Sequence, residues 1–290
     1  MGCERSLAQN GKKIALIGGG KMGEAIMAGL IASDCEPARS LCASCFEVAN
    51  PGAERRAYLQ ETYHVACVED GSLIAHTPDI VILAVKPQIL PAVAASLRSC
   101  PVFGENEAAG PLFISIAAGI TTQALRGMLP SGARIVRTMP NTPLLVGAGM
   151  TAVVGNGGAS ANDVNVVRSL FACLGSAVVV DEADMDAVCA VSGSGPAYVA
   201  AFIEALRDGG VQQGLAPDLA QDLALQTVLG TAHLIDATKQ APQEVRLAVC
   251  SPGGTTLAAL DAMFAAGFSS AIECGVAAAT KRSLELGALS

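Results

Sequence analysis

Lys13-Ile14-Ala15-Leu16-Ile17-Gly18-Gly19-Gly20-Lys21-Met22-Gly23-Glu24-Ala25-Ile26 decides the fold. A short apolar run ends in three glycines, and a helical pattern extends from there to Ser33, with Ile26 and Leu30 on its apolar side. Gly18, Gly20 and Gly23 form G-x-G-x-x-G between a strand and a helix, the context in which that spacing has a mechanism. Gly18 permits the tight turn, Gly20 lets the backbone approach a pyrophosphate, and Gly23 allows close helix–strand packing. The first-turn N–H groups then face phosphate oxygens, so Gly18, Gly19, Gly20, Lys21, Met22 and Gly23 are candidate dinucleotide-binding residues. The competing phosphate loop needs Lys-Ser or Lys-Thr after Gly23; Glu24-Ala25 follows instead.

Outward from this turn, strands and helices alternate. A second strand is read over Ser40–Cys45 and a helix near Glu54–Glu61. Asp79–Val85 is an almost unbroken aliphatic run, as in a strand covered on both faces. Helical spacing follows from Pro87 to about Ser99. Further strands fit Leu112–Ala118, Ala133–Thr138, Met150–Val154 and Ala177–Asp181, with helices over Thr121–Leu129 and Ala161–Leu174. Such alternation predicts an α/β Rossmann-type, doubly wound, mainly parallel sheet. After Asp181 the strand signal stops. Helical spacing occupies Tyr198–Gln213, Pro217–Thr238, Thr255–Ala266 and Ser269–Leu286. The expected organisation is a dinucleotide-binding domain over 11–181 and an all-α dimerisation domain over 182–290. Ala271–Ala279 is too apolar for a solvated helix face, which points to helix packing between subunits.

The composition excludes several classes. With 51% apolar and 15% charged residues in 290, the chain can build a sizeable core. Net charge −8 and 3% aromatics argue against nucleic acid. No uninterrupted apolar run reaches about 18 residues, so no membrane span is expected. Ten cysteines spread over the chain read as reduced, mostly buried thiols of a cytoplasmic protein. Cys42 and Cys45 form a C-x-x-C, but on an extended strand they would face opposite sides, which favours packing. Met1-Gly2-Cys3-Glu4-Arg5-Ser6 matches the acylation pattern M-G-x-x-x-[ST], set against a plain leader before the first strand.

An NAD site usually closes the second strand with Asp or Glu. Ala43-Ser44-Cys45-Phe46 has no carboxylate, so Ser44 and Cys45 are candidate neighbours of a 2′-phosphate, with Arg55 and Arg56 either reaching it or forming a solvated helix face. This favours NADPH over NADH. At other strand ends stand Ala84-Val85-Lys86-Pro87, Ala117-Ala118-Gly119 and Asn141 of Met139-Pro140-Asn141-Thr142-Pro143, each a candidate border of the same crevice. Lys86 reads equally as a solvated charge, and Ala117–Gly119 as tight packing. Ser251-Pro252-Gly253-Gly254-Thr255-Thr256 precedes a helical run and could present N–H groups and hydroxyls to a carboxylate, or simply cap the helix. No Ser-His-Asp arrangement or metal-ligand cluster is evident. That suits hydride transfer, in which the cofactor carries the chemistry.

Together these blocks resemble pyrroline-5-carboxylate reductases from about Lys13 to Leu286, with Ser192-Gly193-Ser194-Gly195-Pro196-Ala197-Tyr198 and Asp208-Gly209-Gly210 as further markers. The resemblance implies reduction of 1-pyrroline-5-carboxylate to L-proline with NADPH, or NADH, in the last step of proline biosynthesis. It also implies a helical dimerisation domain, with dimers that can assemble into decamers. Ser251, Gly253, Gly254, Thr255 and Thr256 would hold the substrate carboxylate, with Gly253, Gly254 and Thr255 giving backbone N–H groups. Thr256 is the candidate catalytic hydroxyl. Ala248 departs from the Asn or Gln common in relatives near the substrate, so that contact is either lost or supplied by another residue. The alternatives are a β-hydroxyacid dehydrogenase, whose G-x-x-x-K-x-x-x-N/D pattern is missing from the helical half, and a non-enzymatic NADP-binding redox sensor.

Overall fold

The computed structural model describes residues 12–103 and 110–288. The Met1–Ser6 acylation pattern lies outside them. Packing divides the described residues into two compact units, one from those up to Gly193 together with those from Ala279 on, the other Ser194–Ala278.

The first unit is built on an eight-stranded sheet: β1 Ile14–Ile17, β2 Phe46–Ala49, β3 Ala66–Val68, β4 Ile80–Leu83, β5 Leu112–Ser115, β6 Arg134–Met139, β7 Gly149–Gly157 and β8 Gly175–Val179. Their spatial order is β3-β2-β1-β4-β5-β6-β7-β8. Every pairing is parallel except β6 with β7. This is the doubly wound sheet that the alternation predicts. The helices are α1 Lys21–Ala32, α2 Ala53–Tyr63, α3 Leu90–Ser99, α4 Thr122–Met128, α5 Ala161–Ala172 and the single turn α6 Met185–Val188.

Alternate residues of each central strand enter separate cores. Ile14, Leu16, Ile80 and Ile82 pack with Ile26 and Leu30 of α1, Leu59 of α2 and Phe171 of α5. Ala15, Ile17, Val81 and Leu83 face the other way, onto Leu90 and Leu97 of α3 and Leu125 of α4. Two buried faces explain why β4 reads as a continuous aliphatic run rather than an alternation. Full burial of each Leu or Ile stabilises the fold by about 1.5–3 kcal/mol.

The second strand departs from expectation. Ala43–Cys45 is a single 3-10 turn, and β2 begins only at Phe46. Phe46 and Val48 fill the core, pairing beside β1 in the register Ile14↔Phe46 to Ile17↔Ala49. Apart from Leu41, the residues from Ser40 to Cys45 are small and offer less side-chain area to a sheet than Phe46 and Val48 do. β3 and α6 carry too few residues to leave a periodic signal.

The second unit contains α7 Gly195–Gln212, α8 Pro217–Thr238, α9 Pro242–Ala248, α10 Thr255–Ala265 and most of α11 Phe268–Ala288. Its only fully buried apolar residues among those described are Ala220, Ala224 and Val245. Leu206, Leu223 and Leu229 are 42%, 50% and 45% exposed. One helical stretch, Glu182–Gln212, is long and apolar enough by length and composition to cross a membrane; Ser192-Gly193-Ser194-Gly195-Pro196 interrupts its apolar run.

Candidate active site

The glycine turn links β1 to α1 at the one place where the strand order reverses, between β1 and β4. Open α/β sheets bind ligands at such a switch point, outside the carboxyl ends of the strands. Gly18 has φ +107°, and a Cβ there would lie 2.5 Å from the Ala84 carbonyl oxygen at the end of β4. Its N–H donates to Ala49 O at 2.9 Å, which fixes the turn between the ends of β2 and β4. A Cβ on Gly23 would collide with Gly18 O, so the third glycine is required by helix–turn packing. A Cβ on Gly20 would meet nothing within 4 Å. The space above Gly20 and the open first turn of α1 fit an approaching diphosphate. Gly19 is held from behind, because a Cβ there would strike Leu59 and its carbonyl accepts a hydrogen bond from Arg55 Nε at 2.6 Å.

Beside the turn lies a cleft of about 340 Å³. Met22, Ala84, Val85, Lys86, Pro87, Ala117, Ala118 and Asn141 line it, so three strand ends that are distant in sequence meet there. Met139, Pro140 and Thr142 of the loop expected to border the crevice also line it, together with Ile116 and Gly193, which sequence reasoning did not place there. Lys86 is the only ionisable group in that lining.

Other candidates have different surroundings. The Asn141 Nδ2 group donates to Ser192 O at 3.1 Å, and its Oδ1 accepts from Met150 N at 2.8 Å. Its amide therefore clasps the Ser192 segment to the cleft wall. Gly119, at φ +76°, packs against Leu286 and Gly287, the tight-packing alternative for that glycine.

Ser44 and Cys45 require correction. They precede β2 rather than ending it, so they lie at the amino ends of the strands, opposite the glycine turn. Ser44 O accepts from Lys13 Nζ at 2.9 Å, just before β1. A hollow of about 430 Å³ at this end is lined by Lys13, Ser44, Cys45, His64 and His76. It is larger than the cleft but has no glycine turn in its lining, and no carboxyl strand end opens on it.

The residue that closes β2 is Asn50, followed by Pro51 and Gly52. Arg56 Nη1 donates to Asn50 O and Pro51 O at 2.8 and 2.7 Å. The signal for Asn50 is the Phe46–Ala49 run ending in Asn-Pro-Gly, a turn sequence. Arg55 pairs with Glu24, whose other oxygen accepts from Tyr63 Oη at 2.8 Å. Burial raises the Glu24 carboxyl, but its bonds from Arg55 and Tyr63 outweigh burial and hold it below the ordinary value. The same hydrogen bond to Glu24 pushes the Tyr63 hydroxyl well above its usual range.

In the second unit, Ser251–Thr256 forms a turn before α10. Gly253 has φ +69°, as the third residue of a Pro-Gly type II turn needs. Gly254 N donates to Ser251 O at 3.0 Å. The expected Gly254 donor is thus spent on the turn itself. The first intrahelical bond here is from Ala258 N to Gly254 O, which leaves the N–H groups of Thr255, Thr256 and Leu257 open at the helix start.

The switch-point turn, the strand-end cleft and the following helical unit define a dinucleotide-dependent oxidoreductase of the Rossmann class. Residues 182–286 match the profile described as pyrroline-5-carboxylate reductase dimerisation. Residues 13–119 match one described as NADP oxidoreductase, coenzyme F420-dependent. A pyrroline-5-carboxylate reductase of Synechocystis is 46% identical over 275 residues, covering 95% of this chain and 98% of its own. A solved pyrroline-5-carboxylate reductase from Coxiella burnetii is similar at 33% identity and TM-score 0.85, covering 96% and 99% of the two chains. The Plasmodium falciparum enzyme, solved with NADP bound, is similar at 30% identity and TM-score 0.81, covering 95% and 98%. The chain belongs to the pyrroline-5-carboxylate reductase family.

Proposed function

We propose that this protein reduces the C=N bond of 1-pyrroline-5-carboxylate to give L-proline, the last step of proline biosynthesis, with NADPH as the preferred donor and NADH as the lesser one. The observation that carries this reading is a dinucleotide turn opening on a cleft lined by no carboxylate or imidazole, in a chain that belongs to this family along nearly its whole length. When bound, the reduced nicotinamide supplies the hydride.

The residues of the chain do the rest. Gly18, Gly19, Gly20, Lys21, Met22 and Gly23 hold the diphosphate through the α1 amides. Asn50 is neutral where an NAD site would carry an acid, and the Arg56 guanidinium beside it supplies the positive charge for a 2′-phosphate. Ala84, Val85, Ala117 and Ala118 are small enough to admit the nicotinamide end. Ser251, Gly253, Thr255 and Thr256 hold the substrate carboxylate and so fix the ring. Orientation of this kind can lower the barrier by about 7–11 kcal/mol without a general base. The Thr256 Oγ1 hydroxyl relays a proton from solvent water to the product nitrogen.

We assign cofactor binding to residues 11–181 and dimerisation with substrate binding to 182–290. Two subunits pairing through the helical unit would cover the apolar faces that α7 and α8 leave open, and this accounts for the apolarity of Glu182–Gln212 without a membrane. Assembly of such dimers into decamers, in the cytoplasm, completes the reading.

The test is oxidation of NADPH, followed by absorbance, with and without 1-pyrroline-5-carboxylate, and identification of proline as product. A purified protein that binds NADPH yet leaves this substrate unreduced would sink the proposal. The β-hydroxyacid dehydrogenase and redox-sensor alternatives predict that outcome.

A further inference from the structure

The Cys42-Ala43-Ser44-Cys45 segment stands at the end of the sheet away from the cleft, and the reduction reaction makes no use of it. On an extended strand its two cysteines would point apart. Cys42 instead caps the Ala43–Cys45 3-10 turn and Cys45 is its third residue, a capping-box arrangement in which the two side chains meet on one side. Cys42 Sγ and Cys45 Sγ lie 3.6 Å from each other. The turn is braced: Cys42 N donates to Cys45 Sγ at 3.5 Å, Ser44 Oγ lies 3.2 Å from Cys42 Sγ, and Lys13 Nζ donates to Ser44 O. The two thiols are also unequal. Cys42 is exposed and Cys45 is buried.

We propose that Cys42 and Cys45 form a reversible dithiol–disulfide site that exchanges with small-molecule disulfides of the glutathione class. The exposed Cys42 thiolate attacks one sulfur of the incoming disulfide. A bond forms between Cys42 Sγ and that sulfur, the disulfide breaks, and the first glutathione leaves as a thiolate that takes up a proton. Cys45, having lost its proton to solvent, then attacks Cys42 Sγ and expels the second glutathione. The protein loses two electrons and two protons, and one glutathione disulfide becomes two glutathione thiols.

The geometry favours the second step. A disulfide bond is about 2.05 Å long, so the sulfurs need to close by roughly 1.5 Å, within reach of side-chain rotation on a turn that already brings them together. The order of attack follows from the environments. The Ser44 hydroxyl, with help from Cys45, draws the Cys42 thiol below its ordinary value, whereas burial pushes the Cys45 thiol up. The accessible sulfur is therefore the better attacking group, and the buried one resolves.

The test uses the full-length protein equilibrated across glutathione buffers of increasing oxidised fraction, then quenched with acid and trapped with a maleimide. Intact mass and peptide mapping are the readouts. Wild type should lose two of its ten thiols together, with the disulfide in the peptide holding Cys42 and Cys45 and no lasting adduct. Cys45→Ala, which preserves a small apolar side chain at the buried position, should stop at one glutathione on Cys42. Cys42→Ser, at the exposed position, should acquire neither disulfide nor adduct in this peptide. The proposal is overturned if wild type keeps both thiols in the most oxidising buffer. It is equally overturned if a glutathione adduct persists on wild-type Cys42, or if the disulfide maps to another cysteine pair.

Discussion

Alanine at Gly23 and alanine at Gly20 should fail for opposite reasons. At Gly23 a Cβ would collide with Gly18 O and lie 3.2 Å from Ala84 Cβ. Gly18 cannot retreat easily, because its N–H is bonded to Ala49 O at 2.9 Å and its φ of +107° suits glycine alone. Overpacking of this kind costs about 3 kcal/mol. Replacing glycine by alanine inside a helix returns about 1 kcal/mol. The net loss is about 2 kcal/mol, which for a unit of this size lowers Tm by about 4–8 °C. At Gly20 a Cβ meets only open space, and φ −69° is ordinary for alanine. Gly20→Ala should therefore cost under about 1 kcal/mol, chiefly through the poorer helix cap. Its effect should fall on the cofactor: losing one charge-assisted hydrogen bond at about 1.5–3 kcal/mol raises the Kd for NADPH roughly 10- to 100-fold. Thermal unfolding and calorimetric titration of both variants, at matched protein concentration, measure the two quantities separately. Gly20→Ala with wild-type affinity would show that nothing approaches that face of the turn. Gly23→Ala with unchanged Tm would show that the turn is looser than its contacts require.

Arg56→Ala should lower kcat/KM with NADPH about tenfold or more and leave NADH nearly unchanged, measured by steady-state kinetics with each cofactor; an equal fall for both would remove Arg56 from the 2′-phosphate. Thr256→Val, which keeps shape and deletes the hydroxyl, should lower kcat/KM for pyrroline-5-carboxylate by about 10- to 100-fold while NADPH affinity holds, and full activity in this variant would dismiss the hydroxyl. Leu229→Glu places a charge on an exposed apolar position of α8 and should shift sedimentation toward monomer; a variant that still sediments as a dimer would move the interface elsewhere. Glu24 has a folded pKa below its ordinary 4.5, so its pair with Arg55 contributes stability above that pH and loses it as pH falls through the folded value. Glu24→Gln should accordingly flatten the decline of Tm on the acid side, and an unaltered acid limb would mean the pair adds no net stability.

Local pattern carried much of this. Gly18–Gly23 after an apolar strand was readable because the turn, the strand and the helix start occupy consecutive residues. The strand-end blocks Ala84–Pro87 and Ala117–Ala118 were readable because a parallel sheet puts all its carboxyl ends on one side. Ser44 and Cys45 were misread because the Ser40–Cys45 and Phe46–Ala49 stretches both satisfy a short strand, and only pairing with β1 chooses between them.

The sequence by itself determined the class of every long element, the strand–glycine turn–helix that opens a cofactor crevice, and the family. All of these rest on period, glycine position and motif order, which are properties of neighbouring residues. Tertiary structure alone decided which end of the sheet each loop occupies, that the Asn141 amide clasps Ser192, that the Gly254 N–H is consumed by its own turn, and that Cys42 and Cys45 stand side by side. Those outcomes depend on strand register and hydrogen-bond partnership. A shift of a few residues reverses them without changing the pattern along the chain, because partners are chosen in space and composition records only that they could be chosen.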